Sequence, residues 1–343
     1  MGLGWSYNIQ TYSHTMNYKE SKEILAEIKK AKKILVNCHR GPDSDSVGSA
    51  TALAKILEKM DKDVTIICPS DVPEDLNFLG TDKIKRVDFS NFDFSLYDLF
   101  LAIDSSTISM VTGTKETLKP EIKIIVIDHH VSNEGFGSIN LIDSKMTSTG
   151  ELLYKIFQDW DIAISKDIAQ SLLTGIIGDT GSFQYQNVGS STLRAAADLI
   201  DIGADKDEII KNIYRNINFR ELQLWGKFIE NMEVDTEFNF VWGAVPLALF
   251  KEYGEPNSVK EDVANIFFPI VKGTNFGMVM VEIEEKVLSI SFRARSDFDV
   301  SEIAKHLGGG GHKAAAGARI EGLPFDDAVT KALEVARKYA KNT

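Results

Sequence analysis

Ile124-Ile125-Val126-Ile127-Asp128-His129-His130 is the stretch from which the rest of this chain is read. Its first four residues are β-branched, a short apolar run that reads as a buried strand. The run stops abruptly at an acid and two imidazoles, which places those three groups at the strand's carboxyl end. In open α/β sheets, ligands sit outside the carboxyl ends of the strands. One strand ending this way could carry nothing more than solvated surface groups, so the reading turns on whether the pattern recurs.

Upstream it does. Leu99-Phe100-Leu101-Ala102-Ile103 is another buried run, and it ends at Asp104-Ser105-Ser106. Ile34 to Cys38 is a third, and it breaks into His39-Arg40-Gly41-Pro42-Asp43-Ser44-Asp45. Small residues, Gly48 to Ala50, then open a helix reaching about Lys59, whose free N–H groups could face an anion. Asp63 to Cys68 reads as a further strand. Downstream, Ser148-Thr149-Gly150-Glu151 looks like a helix start with Ser148 as cap. That helix runs to about Trp160, with Leu152, Leu153, Ile156 and Phe157 as its core stripe. Ile168 to Ile177 is a second helix, ending at Gly178-Asp179-Thr180-Gly181. Strands alternating with helices predict an α/β fold with a doubly wound, mostly parallel sheet.

Beyond Asp207 the pattern is helical as far as Glu233, with a break near Asn218. The texture then becomes β-rich, at Phe240 to Val245, Gly277 to Ile283 and Val287 to Arg293. A helix from Val300 to His306, the run Gly308-Gly309-Gly310-Gly311-His312 and a helix from Phe325 to Lys341 complete a smaller α+β domain. The expected organisation is an extension over 1–19, a catalytic domain over 20–204, a helical linker over 205–233 and a second domain over 234–343. A chain of 343 residues is long for one core, in agreement with two domains.

Composition narrows the function. No apolar run approaches the roughly 18–20 residues of a membrane span. Met1 to Thr15 has neither the basic start nor the continuous apolar core of a secretory signal, so it reads as an extension, with Met16 an alternative start. Cys38 and Cys68 each close a strand and read as reduced thiols, which points to the cytoplasm. A formal charge of −12 argues against wrapping a long nucleic acid, though not against a short phosphorylated substrate.

Four element ends now carry carboxylates or imidazoles: His39 with Asp43 and Asp45, then Asp104, then Asp128 with His129 and His130, then Asp179. Carboxylates gathered together repel, and burial raises their pKa unless a cation compensates. Imidazole with carboxylate and no thiolate suits Mn²⁺, with Mg²⁺ or Co²⁺ as substitutes, better than structural zinc. The His39–Asp45 loop can serve two neighbouring ions, and Asp104 on the adjacent strand is placed to bridge them.

This combination resembles the DHH phosphoesterase superfamily, named for the triplet found here at Asp128, His129 and His130. Its first motif, His-x-x-Pro-Asp-x-Asp before a small-residue helix start, matches His39, Pro42, Asp43, Asp45, Gly48 and Ser49. Asp104 and Asp179 match its second and fourth motifs. The glycine run ending in His312 is similar to the signature of the associated C-terminal domain. The resemblance spans about residues 20 to 340 and, within the superfamily, points to the nanoRNase type. Ser44 and Ser46 depart from it, standing where relatives commonly have Gly and Ala.

The resemblance implies that His39, Asp43 and Asp104 bind one Mn²⁺. Asp45, Asp104, His129 and Asp179 would bind the other, with Asp104 shared. His130 would face the scissile phosphate, and Asp128 would orient a histidine. In the second domain Arg293 and Arg295, two apart at a strand end, would grip a terminal phosphate. Gly309, Gly310 and Gly311 would offer an anion-binding nest closed by His312. The expected activity is hydrolysis of very short single-stranded RNA or DNA oligonucleotides to mononucleotides, and of 3′-phosphoadenosine 5′-phosphate (pAp) to AMP. A homodimer is compatible with the resemblance. The alternatives are a cyclic-dinucleotide phosphodiesterase, an inorganic pyrophosphatase and an inactive nucleotide-binding regulator.

Overall fold

A computed structural model describes residues 17–114, 122–254, 259–266, 268, 271–295 and 297–341. Most of the expected N-terminal extension lies outside them. The chain divides into two units, Met1–Asn216 and Ile217–Thr343.

In the first unit the β-branched runs become strands β1 (Lys33–Asn37), β2 (Asp63–Cys68), β3 (Ile84–Arg86), β4 (Leu99–Ile103), β5 (Ile124–Asp128) and β6 (Ile139–Ile142). They form one sheet in the order β3-β2-β1-β4-β5-β6, parallel at every pairing. Every residue of β4 and β5 is buried, as a strand covered on both faces requires. The order reverses between β1 and β4, which opens a crevice at their carboxyl ends.

One face of this sheet is covered by α1 (Lys19–Lys30), α2 (Ser44–Lys59), α4 (Thr149–Asp159) and α5 (Lys166–Asp179), joined by α6 (Ser190–Ile202) and α7 (Lys206–Tyr214). The predicted stripe Leu152, Leu153, Ile156 and Phe157 is buried there. Burying a leucine or isoleucine contributes roughly 1.5–3 kcal/mol, so fully buried Leu53, Leu57, Leu172 and Ile176 fasten α2 to α5 firmly. The opposite face is closed differently. Among the described residues its cover is the short α3 (Ile108–Thr112) and the loop carrying Phe89, Phe92, Phe94 and Tyr97. Phe92 and Phe94 meet edge to face at 5.0 Å.

Two glycines let α2 and α5 touch. A Cβ on Gly48 would lie 2.5 Å from the Ser171 carbonyl, and one on Gly175 would lie 2.4 Å from Asp45 Oδ1. The small residues opening α2 therefore serve helix contact.

The helical stretch expected as a linker is two helices with different allegiances. In α7, Ile209 joins the core of the first unit. In α8 (Phe219–Glu230), Leu224, Trp225 and Phe228 join a core of the second. Each amphipathic helix buries its stripe on its own unit, so the boundary falls after Asn216 and no free-standing linker spans 205–233. Asn218 caps α8 by accepting from the Arg220 amide at 2.9 Å, which explains the predicted break.

The second unit holds β7 (Glu233–Asp235), β8 (Phe240–Val245), β9 (Phe276–Glu284), β10 (Val287–Ala294), β11 (Gly310–Gly311) and β12 (Ala315–Glu321). They form a sheet ordered β11-β12-β10-β9-β8-β7, antiparallel except at β8–β9. Alternate residues divide between its faces. Met278, Met280, Leu288, Ile290 and Phe292 pack with α11 (Val300–His306) and α12 (Phe325–Ala340). Val241, Val245, Val279 and Val281 pack with α8, and with α9 (Leu247–Glu252) and α10 (Val259–Ile266). No described helix is long and apolar enough to cross a membrane.

Candidate active site

The crevice at the sheet's reversal collects the polar ends of three strands and two helices. His39 follows β1, Asp104 follows β4, and Asp128 ends β5 with His129 and His130 behind it. Asp43 caps α2, its Oδ1 accepting from the amides of Asp45 at 3.0 Å and Ser46 at 2.9 Å. Asp45 therefore lies in the first turn of that helix, and Asp179 ends α5.

As β1 and β4 part, a side chain continues their pairing. Asn37 accepts from the Ile103 amide at 2.8 Å, and its Nδ2 donates to the Ile103 carbonyl at 3.3 Å and to Ser105 Oγ at 3.0 Å. Asp104 itself has φ +48, a left-handed conformation that costs a non-glycine residue roughly 1–2 kcal/mol. The bonds on either side of it hold that turn.

Six of the predicted residues form two donor groups. His39 Nε2 lies 3.6 Å from Asp43 Oδ2 and 3.6 Å from Asp104 Oδ2. His129 Nε2 lies 3.0 Å from Asp179 Oδ2, 3.7 Å from Asp104 Oδ1 and 3.9 Å from Asp45 Oδ2. Asp104 thus turns one oxygen to each histidine. The ligand atoms of His39, Asp43 and Asp104 lie within 4.8 Å of one another, as do those of Asp45, His129 and Asp179.

The tautomers follow from what each Nδ1 meets. His39 Nδ1 is 3.1 Å from the Arg40 carbonyl and His129 Nδ1 is 3.3 Å from the Met146 carbonyl. A carbonyl only accepts, so both Nδ1 atoms carry hydrogen and each Nε2 faces carboxylates. His129 Nε2 is buried, and its close contact is Asp179 Oδ2 at 3.0 Å. A bare nitrogen lone pair against carboxylate oxygens is repulsive unless a proton or a metal cation lies between them. The donor set, imidazole and carboxylate without thiolate, fits a divalent ion of the Mn²⁺ or Mg²⁺ kind.

The titration behaviour carries the same demand for positive charge. Burial, and then the charge of Asp104, pushes Asp45 up to about 7. Burial and Asp43 bring Asp104 to about 6, and burial and Asp45 bring Asp179 to about 6. Burial works against charge on the imidazoles, but Asp43 and Asp104 raise His39 to about 9, and Asp179, Asp45 and Asp104 raise His129 to about 10.

His130 stands beside the same groups, its Nδ1 3.8 Å from Asp104 Oδ1, but its short bond is to another acid. Its Nδ1 donates to Asp128 Oδ1 at 2.8 Å, and Asp128 Oδ2 accepts from Asn133 at 2.6 Å. Burial alone would favour the neutral acid at Asp128, yet the His130 bond and those around it keep this carboxyl below its ordinary value. The same bond raises His130, whose side chain is 36% exposed. Nε2 remains as its outward donor.

Several contributors escaped the sequence reading. The amides of Thr149 and Gly150, at the N-terminus of α4, donate to Asp45 Oδ2 at 2.6 Å and Oδ1 at 2.9 Å. Thr149 Oγ1 donates to Asp104 Oδ1 at 3.0 Å, and Ser49 Oγ to Asp45 Oδ1 at 3.1 Å. The signal available for them was Ser-Thr-Gly-Glu, legible only as a helix cap. Ser46, the departure noted above, accepts from the His39 amide at 3.0 Å and so staples the ligand loop.

In the second unit Arg293 is the penultimate residue of β10 and Arg295 follows the strand, with Arg293 Nη1 donating to the Phe292 carbonyl and Arg295 Nη1 to that of Thr274. The glycine run is not the open nest that was expected. The amides of Gly308, Gly309 and His312 donate to the carbonyls of Lys305, Ala304 and Ala315, and Gly310 and Gly311 pair with β12. The glycines serve close approach instead, because a Cβ on Gly309 or Gly311 would strike the β12 backbone. His312 is exposed.

A parallel α/β sheet carrying paired histidine–carboxylate groups at its switch point is the layout of a metal-assisted hydrolase. Residues 33–176 match the N-terminal domain of the DHH family, and residues 261–342 match the DHHA1 domain. The chain belongs to the DHH phosphoesterase family. It is 29% identical over 326 residues to the bifunctional oligoribonuclease and PAP phosphatase NrnA of Thermus thermophilus, covering 94% of this chain and 95% of that one. It is 25% identical to the cyclic-di-AMP phosphodiesterase PdeA of Listeria monocytogenes, across 94% of this chain but only 50% of the Listeria protein. The crystal structure of an exopolyphosphatase-related protein from Bacteroides fragilis superposes with a TM-score of 0.87 at 25% identity, covering 96% of this chain and 98% of that one.

Proposed function

We propose that the protein is a Mn²⁺-dependent phosphoesterase that hydrolyses very short oligonucleotides to mononucleotides and pAp to AMP. The observation that carries this reading is the pair of histidine–carboxylate groups, with Asp104 turning one oxygen to His39 Nε2 and the other to His129 Nε2. His39, Asp43 and Asp104 would hold one cation, and Asp45, Asp104, His129 and Asp179 the other. Such a pair supplies the positive charge that activates water and offsets a phosphate's negative oxygens. The likeness to the Thermus NrnA over nearly the whole of both chains supports nanoRNA and pAp as substrates.

The chain's own groups divide the remaining work. Asp128 fixes the His130 ring through Nδ1 and favours its protonated form, so Nε2–H would donate toward the scissile phosphate or the leaving oxygen. The α4 amides and Ser49 hold Asp45 in place, while Thr149 holds Asp104. Arg293 and Arg295 would contact a terminal phosphate, as a guanidinium fork can. The exposed ring of His312 completes this assignment.

The test is a Mn²⁺-dependent panel of a dinucleotide, a 5-mer, a 20-mer, pAp, cyclic di-AMP and pyrophosphate at equal concentration. Fastest release of mononucleotide from the shortest linear substrates is expected. Preference for the 20-mer or pyrophosphate would overturn the proposal. Preference for cyclic di-AMP would establish the second reading, which the PdeA likeness favours.

A further inference from the structure

Glu151 is a buried acid that the proposed reaction does not use. It is 1% exposed and lies in the first turn of α4, two residues past Thr149. Ser148-x-x-Glu151 fits the capping box, in which the acid returns to the cap residue's own amide. Half of the box is present, since Ser148 Oγ accepts from the Glu151 amide at 3.0 Å. The carboxylate goes elsewhere. Its Oε2 accepts from Thr147 Oγ1 at 2.8 Å, from Thr192 Oγ1 at 2.9 Å and from the Thr147 amide at 3.3 Å. Its Oε1 accepts from Ser191 Oγ at 2.9 Å, and Lys155 Nζ stands 3.7 Å away.

One carboxylate therefore ties together the segment before α4, the first turn of α4 and the first turn of α6. Site contacts lie on either side of that knot. Met146, the neighbour of Thr147, supplies the carbonyl facing His129 Nδ1. Thr149 and Gly150 supply the amides on Asp45, and the Thr149 hydroxyl bonds Asp104. A desolvated acid with this many donors rigidifies its surroundings.

We propose that Glu151 is a positioning residue for the Asp45–Asp104–His129–Asp179 cation site, acting through the Met146–Gly150 segment. This rests on the two-cation reading above. Residues that orient metal ligands typically change affinity by about 10- to 100-fold when removed.

The experiment is calorimetric titration of Mn²⁺ into the full chain after chelator stripping, with bound ions counted by electron paramagnetic resonance. Glu151→Ala is expected to weaken one of the two ions by about 10-fold or more and leave the other within about threefold. Glu151→Gln keeps an oxygen that accepts from Thr147 and Thr192, and should recover most of that loss. Tyr154→Phe is the control, because it removes another α4–α6 bond, Tyr154 to Asp198 at 2.6 Å, without touching the Met146–Gly150 segment. If Glu151→Ala fails to fold, Thr192→Val removes one donor to the same carboxylate and should weaken the same ion. Normal binding of both ions by the variants that fold would overturn the proposal, as would an equal loss in Tyr154→Phe. A wild-type protein that binds no Mn²⁺ would instead overturn the two-cation reading.

Discussion

Replacing a glycine inside a helix by alanine normally stabilises by about 1 kcal/mol, because the glycine leaves more conformational freedom to lose. This protein offers one helix where that should hold and one where it should fail. At Gly226 in α8, a Cβ would have nothing within 4 Å, so Gly226→Ala is expected to stabilise by up to about 1 kcal/mol and leave activity alone. At Gly175 in α5 the same methyl would stand 2.4 Å from Asp45 Oδ1 and 3.3 Å from Asp45 Cα. That oxygen is not free to move, since the Gly150 amide holds it at 2.9 Å and Ser49 Oγ at 3.1 Å. Overpacking a tight contact costs about 1–3 kcal/mol, and a lost charge-assisted bond about 1.5–3 kcal/mol. Set against the helical gain, Gly175→Ala should destabilise by about 2–4 kcal/mol. A displaced ligand should also lower activity by about 10- to 100-fold. Urea denaturation of each variant, followed by chromatographic assay of dinucleotide hydrolysis with Mn²⁺, measures both quantities. If Gly175→Ala is as stable as Gly226→Ala and turns over like wild type, the contact between α5 and Asp45 does not position the site.

Protonation sets the second expectation. Asp45, Asp104 and Asp179 have folded pKa values raised to between about 6 and about 7, so their stabilisation is present below pH 4 and lost as pH rises through that range. His39 and His129, raised to about 9 and about 10, lose theirs as pH climbs from about 6.5 through those values. A cation displaces these protons, so the Tm difference between Mn²⁺-loaded and chelated protein should grow from pH 5.5 to 8.5; a flat or falling difference would contradict the site. Asn37→Ala strips the Ile103 amide of its buried partner beside Asp104 and should cost about 1–3 kcal/mol, with reduced turnover, measured by the same denaturation and hydrolysis assays. Asp104→Ala removes the only side chain among the described residues that faces both Nε2 atoms and should lower affinity for both cations together, and calorimetry showing one site intact would refute its shared role.

The parallel sheet was readable because its strands are buried on both faces, and such strands must be apolar throughout: β4 and β5 announce themselves. The polar residue that ends each run was readable for the same reason, by contrast with the apolar background. Short or weakly apolar strands were missed. Ile84–Arg86 is an edge strand of three residues, and Ala315–Glu321 opens with Ala-Ala-Gly-Ala, whose low β-propensity is overridden by pairing with β10 and with the glycines of β11. Helix α6 went unread because Thr192, Ala195, Ala196 and Leu199 make a small-residue stripe rather than a strongly apolar one. The glycine run was visible, but its role was not, since close approach and anion binding both call for glycine. Asn37, Thr149 and Glu151 were hidden by a deeper limit. A residue that acts by holding another can be recognised only when its partner, 66 residues away for Asn37 and Ile103, is known.

These holding residues explain how an electrostatically unfavourable site survives folding. Asp45 and Asp104 are 1% and 2% exposed, and they stand among further carboxylates with no lysine or arginine paired to them among the described residues. Left to themselves such groups would separate or draw in water. What keeps them together is structure of the opposite electrical character. The amides at the start of α4 point their partial positive charge at Asp45, and hydroxyls of Ser49 and Thr149 donate to the pair. The α2–α5 contact at Gly48 and Gly175 leaves Asp45 no room to turn away. None of these partners supplies a full positive charge, so the repulsion is contained but not cancelled. The remaining deficit is what protons satisfy, on the carboxyls up to about pH 6 to 7 and on His39 and His129 up to about 9 and about 10, and what a divalent cation would satisfy in their place. Rigidity without neutralisation is therefore the property that a metal-binding hydrolytic site requires, and a substitution that relaxed the scaffold while keeping every ligand should weaken the ion before it unfolds the protein.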